Sequence, residues 1–398
     1  MTHIGFVCFP AYGHLNPVLA VARELVGRGH RVTIPAIAEF QEQVAASGAA
    51  APLYSSPFMQ GEEAKAMLAE LKDKQPDRAN PLKTMHSFLQ EAFDTVPQFE
   101  SIWDGDRPDV LVYDQSTFAG PMLADRWGVP LVGSFPALAA NEHYSVWAED
   151  YAKLDQPAEF AELDRFLADG LAGLGLPAQT LGVLAARQPD LGISFYTRSF
   201  QPRGETFDGY EFVGPCLTER VDHVGWKPSG DRPVLYVSLG SIFNHQPAFF
   251  RAVIEAFRDE PWQVVIAIGQ HVRPEDLGEI PPNVELHTLA PQLEILAHTS
   301  VFISHCGMGG TQEALAFGVP LLGIPQMTEQ EGNARRVAEL GLGEWLPPTE
   351  VTAAKLREAV TRIAADRDIR DRLKEMRADI EAAGGARRAA DLLEQRAL

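Results

Sequence analysis

Between Val301 and Pro325 the chain reads VFISHCGMGGTQEALAFGVPLLGIP. A β-branched run ends at His305, the glycines Gly307, Gly309 and Gly310 let the backbone turn tightly, and a helix opens near Thr311. A second apolar run, PLLGIP, follows. Strand, glycine turn, helix and strand in this order make a parallel β-α-β unit, and few folds accommodate it other than a sheet covered by helices. The pattern recurs. Ile4–Phe9 reads as a buried strand, followed by a turn and a helix from about Pro17 to Arg28 with its proline in the first turn. Arg31–Ile34, Val110–Tyr113 and Leu131–Val132 read as further strands, with Gly128 as a helix stop. A second set begins at VLYVSLGS, from Val234, and continues through QVVIAIG, VELH, VFISHC and PLLGIP. Phe58–Phe99 and Ala158–Leu174 look helical. The Pro- and Gly-rich stretch GPCLTERVDHVGWKPSGDRP, Gly214–Pro233, is the natural linker. The expectation is two doubly wound α/β domains with a ligand cleft between them: residues 1–214, a linker at 215–233, residues 234–380, and a charged terminal helix at 381–398 able to pack on either domain.

Composition narrows the function. With 34 basic and 54 acidic residues the formal charge is −20, which argues against nucleic acid and anionic membrane surfaces as partners. It leaves room for one local phosphate site, because backbone amides bind an anion without net positive charge. The 3 cysteines, Cys8, Cys216 and Cys306, lie far apart, unlike a disulfide framework or a structural zinc site. No apolar run is long enough to span a membrane, and the first apolar stretch, broken at Pro10, reads as a strand instead of a signal peptide. The expected location is the cytoplasm.

Three constellations carry chemistry. At His305–Glu313 the glycine turn and helix start form an anion site of amides and dipole; His305 can hydrogen-bond or charge-pair with the anion, Thr311 can add a hydroxyl, and Glu313 can accept from ribose. The bland alternative is a strand-to-helix turn capped by Thr311. Neither this segment nor FPAYGHLNP has the G-x-G-x-x-G of a dinucleotide dehydrogenase, and the chain has no P-loop. In PAYGHLNP, His14 lies just past the first strand, where open α/β sheets bind ligands and a general base is well placed; Asp114, ending the strand of DVLVYDQS, can orient it. A surface histidine and a helix N-cap remain open for the two. In QMTEQEGN, Glu329, Gln330 and Asn333 can read the hydroxyls of a sugar, or simply start a solvated helix. Asp104-Gly105-Asp106 reads as a polar turn, the histidines lack metal-ligand spacing, and Ser134 and Ser241 lack a hydrolase elbow.

The stretch LAPQLEILAHTSVFISHCGMGGTQEALAFGVPLLGIPQMTEQEGN resembles the donor-binding signature of inverting UDP-sugar glycosyltransferases with the GT-B fold, two Rossmann-like domains facing across a cleft. HCGMGGTQE and AYGHLNP are most similar to the bacterial macrolide glycosyltransferase group. The resemblance implies an acceptor-binding first domain and a nucleotide-sugar-binding second one, with the last helix crossing back to the first. It implies His14 as catalytic base with Asp114 as its partner, and a diphosphate site of Ser241, His305, Gly307, Gly309, Gly310 and Thr311. Gln292 and Glu313 match ribose contacts, and Glu329 with Gln330 the grip on the sugar. Leu289 stands where many relatives stack a Trp on uracil, which opens the choice between uridine and thymidine, and Glu329 replaces the more usual Asp.

The implied reaction is metal-free and cofactor-free, with a UDP-sugar as co-substrate and a small hydrophobic acceptor, a macrolide or a flavonoid or other phenol. Tyr12, Phe58, Met59, Phe88, Phe135, Tyr144 and Trp147 are candidates to line the acceptor pocket. The chain is expected to be a monomer or homodimer. Rival readings are a TDP-deoxysugar transferase of antibiotic biosynthesis, a nucleotide-sugar epimerase, and a non-catalytic auxiliary protein, which would have no need of His14.

Overall fold

The computed structural model describes residues 1–60, 81–148, 157–185, 187–217, 225–240 and 244–397. They form two compact units, residues 1–217 with 383–397, and residues 225–382. The first unit holds β1 (His3–Val7), β2 (Arg31–Thr33), β3 (Val110–Asp114), β4 (Leu131–Phe135), β5 (Gly192–Ser194) and β6 (Tyr210–Phe212), all parallel, in the order β2-β1-β3-β4-β5-β6. The second holds β7 (Val234–Ser238), β8 (Gln263–Ala267), β9 (Val284–His287), β10 (Thr299–Ser304), β11 (Leu321–Gly323) and β12 (Gly343–Trp345), again parallel, in the order β12-β11-β10-β7-β8-β9. The strand order reverses between β1 and β3 and between β7 and β10. Ligands of open parallel sheets bind outside the carboxyl ends of strands at such points.

The expected doubly wound architecture is therefore present in both units, and its cause is local. β1, β3 and β7 are buried along their whole length, so their apolar residues run together without alternating, and polar residues stand only at the strand ends, His3, Asp114 and Ser238. Of the five three-residue strands among the described residues, β2 and β11 were expected and β5, β6 and β12 were not: these three are too short to show a period, and pairing with a neighbour makes them strands. The first helix also differs from expectation. It spans Tyr12–Gly27, so Pro17 lies inside it and not in its first turn. A proline there forfeits a single intrahelical bond, and the earlier start carries His14 onto the first helical turn. Residues 61–80 of the expected Phe58–Phe99 helix lie outside the described residues; Pro57–Gln60 and Pro81–Ile102 are helical.

The described flanks of the Gly214–Pro233 stretch are pinned. Cys216 is buried in the first unit's core. In the second unit, the Trp226 N–H donates to Glu294 at 2.6 Å and its indole to Glu285 at 3.1 Å. At the other end of the chain, the helix Arg367–Ala383 stops at Gly384, whose φ of 88° is left-handed, and the helix Gly385–Arg396 packs in the first unit. Ala389, Ala390 and Leu393 are buried there, while Arg28 bonds Asp391 at 2.6 Å and Glu394 at 2.9 Å. Burying one leucine contributes about 1.5–3 kcal/mol, against about 0–1 kcal/mol for a half-exposed ion pair. The apolar face holds the helix and the charges set its register. Among the described residues, no helix is long and apolar enough to cross a membrane.

Candidate active site

At the first switch point β3 and the helix that follows β1 each deliver a titratable side chain. Asp114 is the last residue of β3 and fully buried; its Oδ2 lies 2.9 Å from Nδ1 of His14, and its Oδ1 accepts the Ser116 N–H at 2.8 Å. An unpartnered buried carboxylate is costly, and here both oxygens are engaged. Since a carboxylate only accepts, Nδ1 carries the proton and Nε2 keeps the lone pair. The His14 side chain is 22% exposed. The dyad can take a proton from a hydroxyl, with Asp114 stabilising the imidazolium that forms.

An aromatic group adjoins this base. The Phe9 ring lies 5.1 Å from that of His14 and 5.8 Å from both Phe58 and Phe88, which are 5.2 Å apart. Glu91 fastens the group from below by accepting the Phe58 N–H at 2.9 Å, and burial pushes its carboxyl pKa up. Phe9, Phe88 and Glu91 also line a small cavity with Tyr54 and Thr117. Of the expected acceptor residues, Phe58 and Phe88 thus gather on Phe9, the ring that touches His14. Phe135 is not: it is core, packed on Tyr210 with Tyr144 against the same cluster, because Gly133 and Gly192 leave room for its ring. Met59 packs on the main core, Tyr12 is exposed and edges onto Phe40, and Trp147 is exposed.

At the second switch point the arrangement is different. The His305 imidazole is wedged between two glycines: a Cβ on Gly240 would stand 2.6 Å from Nε2 and one on Gly307 2.5 Å. Burial pushes its pKa down to about 4, only partly opposed by the Ser238 backbone. The ring is neutral at pH 7, so it offers an anion a hydrogen bond and not a charge. Cys306, at φ 59°, turns the chain into the helix Met308–Phe317. Its first bond runs from the Thr311 N–H to the Gly307 carbonyl at 3.0 Å and no side chain caps it, so the amides of Met308, Gly309 and Gly310 precede the ladder. These amides and the helix dipole are what an anion would meet. Thr311 itself is fully buried, its hydroxyl against the Cys306 thiol, beneath the turn instead of on it.

The structure also joins Gln292 to Glu313. The Gln292 amide donates to the Glu313 carboxylate in a very short bond, and the Tyr236 hydroxyl holds the other end at 3.1 Å. Glu329 Oε1 accepts from Asn333 at 3.1 Å, and Gln330 is buried with its Oε1 accepting the Gln326 N–H at 2.8 Å. Leu289 is 75% exposed. Ser241 lies outside the described residues.

Residues 252–394 match the family described as erythromycin biosynthesis protein CIII-like, C-terminal domain. Over its full length the chain is 40% identical to demethyllactenocin mycarosyltransferase of Streptomyces fradiae, covering 99% of this chain and 86% of that protein. It is 39% identical to the NDP-glycosyltransferase YjiC of Bacillus licheniformis, covering 98% and 97%. The crystal structure of CalG4, the calicheamicin glycosyltransferase, superposes with a TM-score of 0.87 at 39% identity, covering 100% of this chain and 98% of that one. The chain belongs to the macrolide glycosyltransferase group of the GT-B fold. It is a glycosyltransferase, acting on a nucleotide-sugar donor and an acceptor.

Several residues around the sites of this glycosyltransferase were not singled out from the sequence. Gly240 follows β7 as Gly307 follows β10 by a few residues, so the strand-then-glycine rule finds both. Phe9 closes the first apolar run and reads as core. Tyr236 and Glu91 carry no local signal, since a tyrosine within a strand and a glutamate within a helix look alike whether or not they face a site.

Proposed function

We propose that this glycosyltransferase moves a hexose, glucose in the first instance, from a UDP-sugar to a hydroxyl of a small hydrophobic acceptor such as a macrolide or a flavonoid or other phenol, inverting the anomeric carbon without a metal. The observation that carries the reading is the buried Asp114 bonded at 2.9 Å to His14, with the rings of Phe9, Phe58 and Phe88 alongside. His14 Nε2 takes the acceptor's proton, the freed oxygen attacks the anomeric carbon from the face opposite the nucleotide, and the C–O bond to the diphosphate breaks. Charge on the departing diphosphate is met by the Gly307–Gly310 amides, the helix dipole and a hydrogen bond from neutral His305. Dipoles supply the stabilisation that a divalent ion would otherwise provide. Among the described residues, no group of three or more His, Cys, Asp or Glu side chains is disposed to hold a metal.

A second reading has a specific observation behind it. Leu289 presents an exposed aliphatic side chain where base stacking is expected, and one similar protein is named for mycarosyl transfer. Both suit a TDP-deoxysugar as donor. Mass spectrometry decides between them: the enzyme and its His14→Ala variant are incubated with UDP-glucose or with TDP-sugars and a panel of macrolides and phenols. A hexose adduct that His14→Ala loses supports the first reading, and adducts from TDP-sugars alone support the second. If His14→Ala retains full activity, the assigned base is wrong.

A further inference from the structure

The turns on either side of His305 share a device. Gly240 has φ 82° and its carbonyl accepts the side-chain amide of Asn244 at 2.8 Å; Cys306 has φ 59° and its carbonyl accepts that of Asn333 at 3.0 Å. Both asparagines are buried, Asn333 completely. In both, the NH₂ end must face the carbonyl, because an oxygen there would repel it. Asn333 donates to a second acceptor as well, Glu329 Oε1 at 3.1 Å. The same arrangement, a side-chain amide donating to the carbonyl of a residue at positive φ, thus occurs in both turns.

The geometry says what these two bonds do. In a trans peptide the carbonyl and the next N–H point in opposite directions. Drawing the Cys306 carbonyl toward the buried Asn333 therefore turns the Gly307 N–H away from the interior. It also keeps a non-glycine residue at positive φ, which is costly without such a restraint. The Cys306 sulfur is packed tightly, for a Cβ on Gly323 would come within 2.8 Å of it. The sequence suggested Asn333 as a reader of sugar hydroxyls; buried and spent on Cys306 and Glu329, it holds the reader instead.

We propose that Asn333 is a positioning residue for the donor, setting the diphosphate turn and the Glu329 carboxylate with one side chain, and that Asn244 holds the opposite turn in the same way. The inference rests on the reading of this unit as the nucleotide-sugar site. The test is calorimetric titration of the full chain with UDP and UDP-glucose, and in parallel with TDP and TDP-glucose, for wild type, Asn333→Ala, Glu329→Gln, their double variant, and Asn333→Ala with Cys306→Gly. Melting curves accompany each.

Asn333→Ala is expected to bind the free diphosphate about tenfold more weakly and to lose the preference for the sugar conjugate. Glu329→Gln should lose that preference alone, and the Asn333→Ala/Glu329→Gln variant should lose no more of it than either single change. Cys306→Gly removes the positive-φ penalty, so in the Asn333→Ala background it should restore diphosphate affinity but not sugar preference. Unchanged affinities in Asn333→Ala, or a loss that Cys306→Gly does not relieve, overturn the proposal. Should Asn333→Ala not fold, Asn333→Ser keeps a donor and takes its place, with a smaller loss expected and no loss overturning the idea. Wild type that binds neither UDP nor TDP would instead sink the donor-site reading on which the clamp depends.

Discussion

At the first switch point a carboxylate and an imidazole meet 2.9 Å apart; at the second, an imidazole sits between Gly240 and Gly307 and burial keeps it neutral. The positions are equivalent, at the carboxyl ends of strands where each parallel sheet reverses order. The electrostatics are not, and the tasks explain why. In the proposed reaction, removing a proton requires a base whose conjugate acid is stabilised, and the first unit buries a carboxylate beside its histidine. Holding a leaving diphosphate requires favourable interactions with negative charge that the ligand itself brings. In the proposed reaction, amides, a helix dipole and an uncharged imidazole would provide them. On this proposal a chain with a net charge of −20 holds its anion by dipoles and not by a basic cluster.

The contrast is easiest to break at the first unit. Asp114→Asn keeps the shape but reverses the hydrogen bond and favours the wrong tautomer of His14, so kcat should fall about 10³–10⁴-fold with nucleotide affinity unchanged. A parallel loss of nucleotide affinity would mean that the dyad does not act on the acceptor side alone. The next effect belongs to the second unit. Gly240→Ala drives a Cβ into His305 at 2.6 Å from a backbone at φ 82°. Strain of about 1–3 kcal/mol should weaken UDP binding roughly tenfold or more, read by calorimetry. Full affinity in this variant would show that the imidazole's place between the glycines is unimportant.

A smaller effect follows from pH. The folded pKa of His305, about 4, lies below its ordinary 6.5, so between those values the unfolded chain binds the proton more readily. His305 therefore imposes no penalty above about pH 6.5 and a growing one as pH falls toward 4, at most about 3 kcal/mol. Melting of wild type should drop more steeply over that range than melting of His305→Gln. Equal slopes would place the ring in solvent. The smallest change is Leu289→Trp. At 75% exposure it should leave stability within about 0.5 kcal/mol. Stacking worth about 0.5–1.5 kcal/mol should tighten UDP binding severalfold, and no tightening would remove Leu289 from the base site.

How far the sequence reaches differs between the sheets and the side chains that meet on them. Continuous apolar runs, the glycines that follow them and Gly128 as a stop are local features, and strand, turn and helix follow from them by sterics and burial. The two doubly wound sheets were therefore legible, as were His14, Asp114 and His305 at their strand ends. Whether two such residues touch is a non-local matter: His14 and Asp114 lie 100 positions apart and meet only because β1 pairs with β3.

The same limit explains the differences. Phe58, Phe88 and Phe135 are alike as letters, yet two gather on Phe9 beside the base and one fills the core, since a ring packs equally well in either place. Asn333 looked like a surface amide until packing buried it and turned its donors on Cys306 and Glu329. The charge state of His305 depends on desolvation, which no stretch of sequence contains. Composition and periodicity determined that this chain would build two parallel sheets with a glycine turn leading from strand to helix in the second. Only tertiary structure, by deciding which groups lose water and which pair, determined that one histidine is partnered by a carboxylate and the other is neutral.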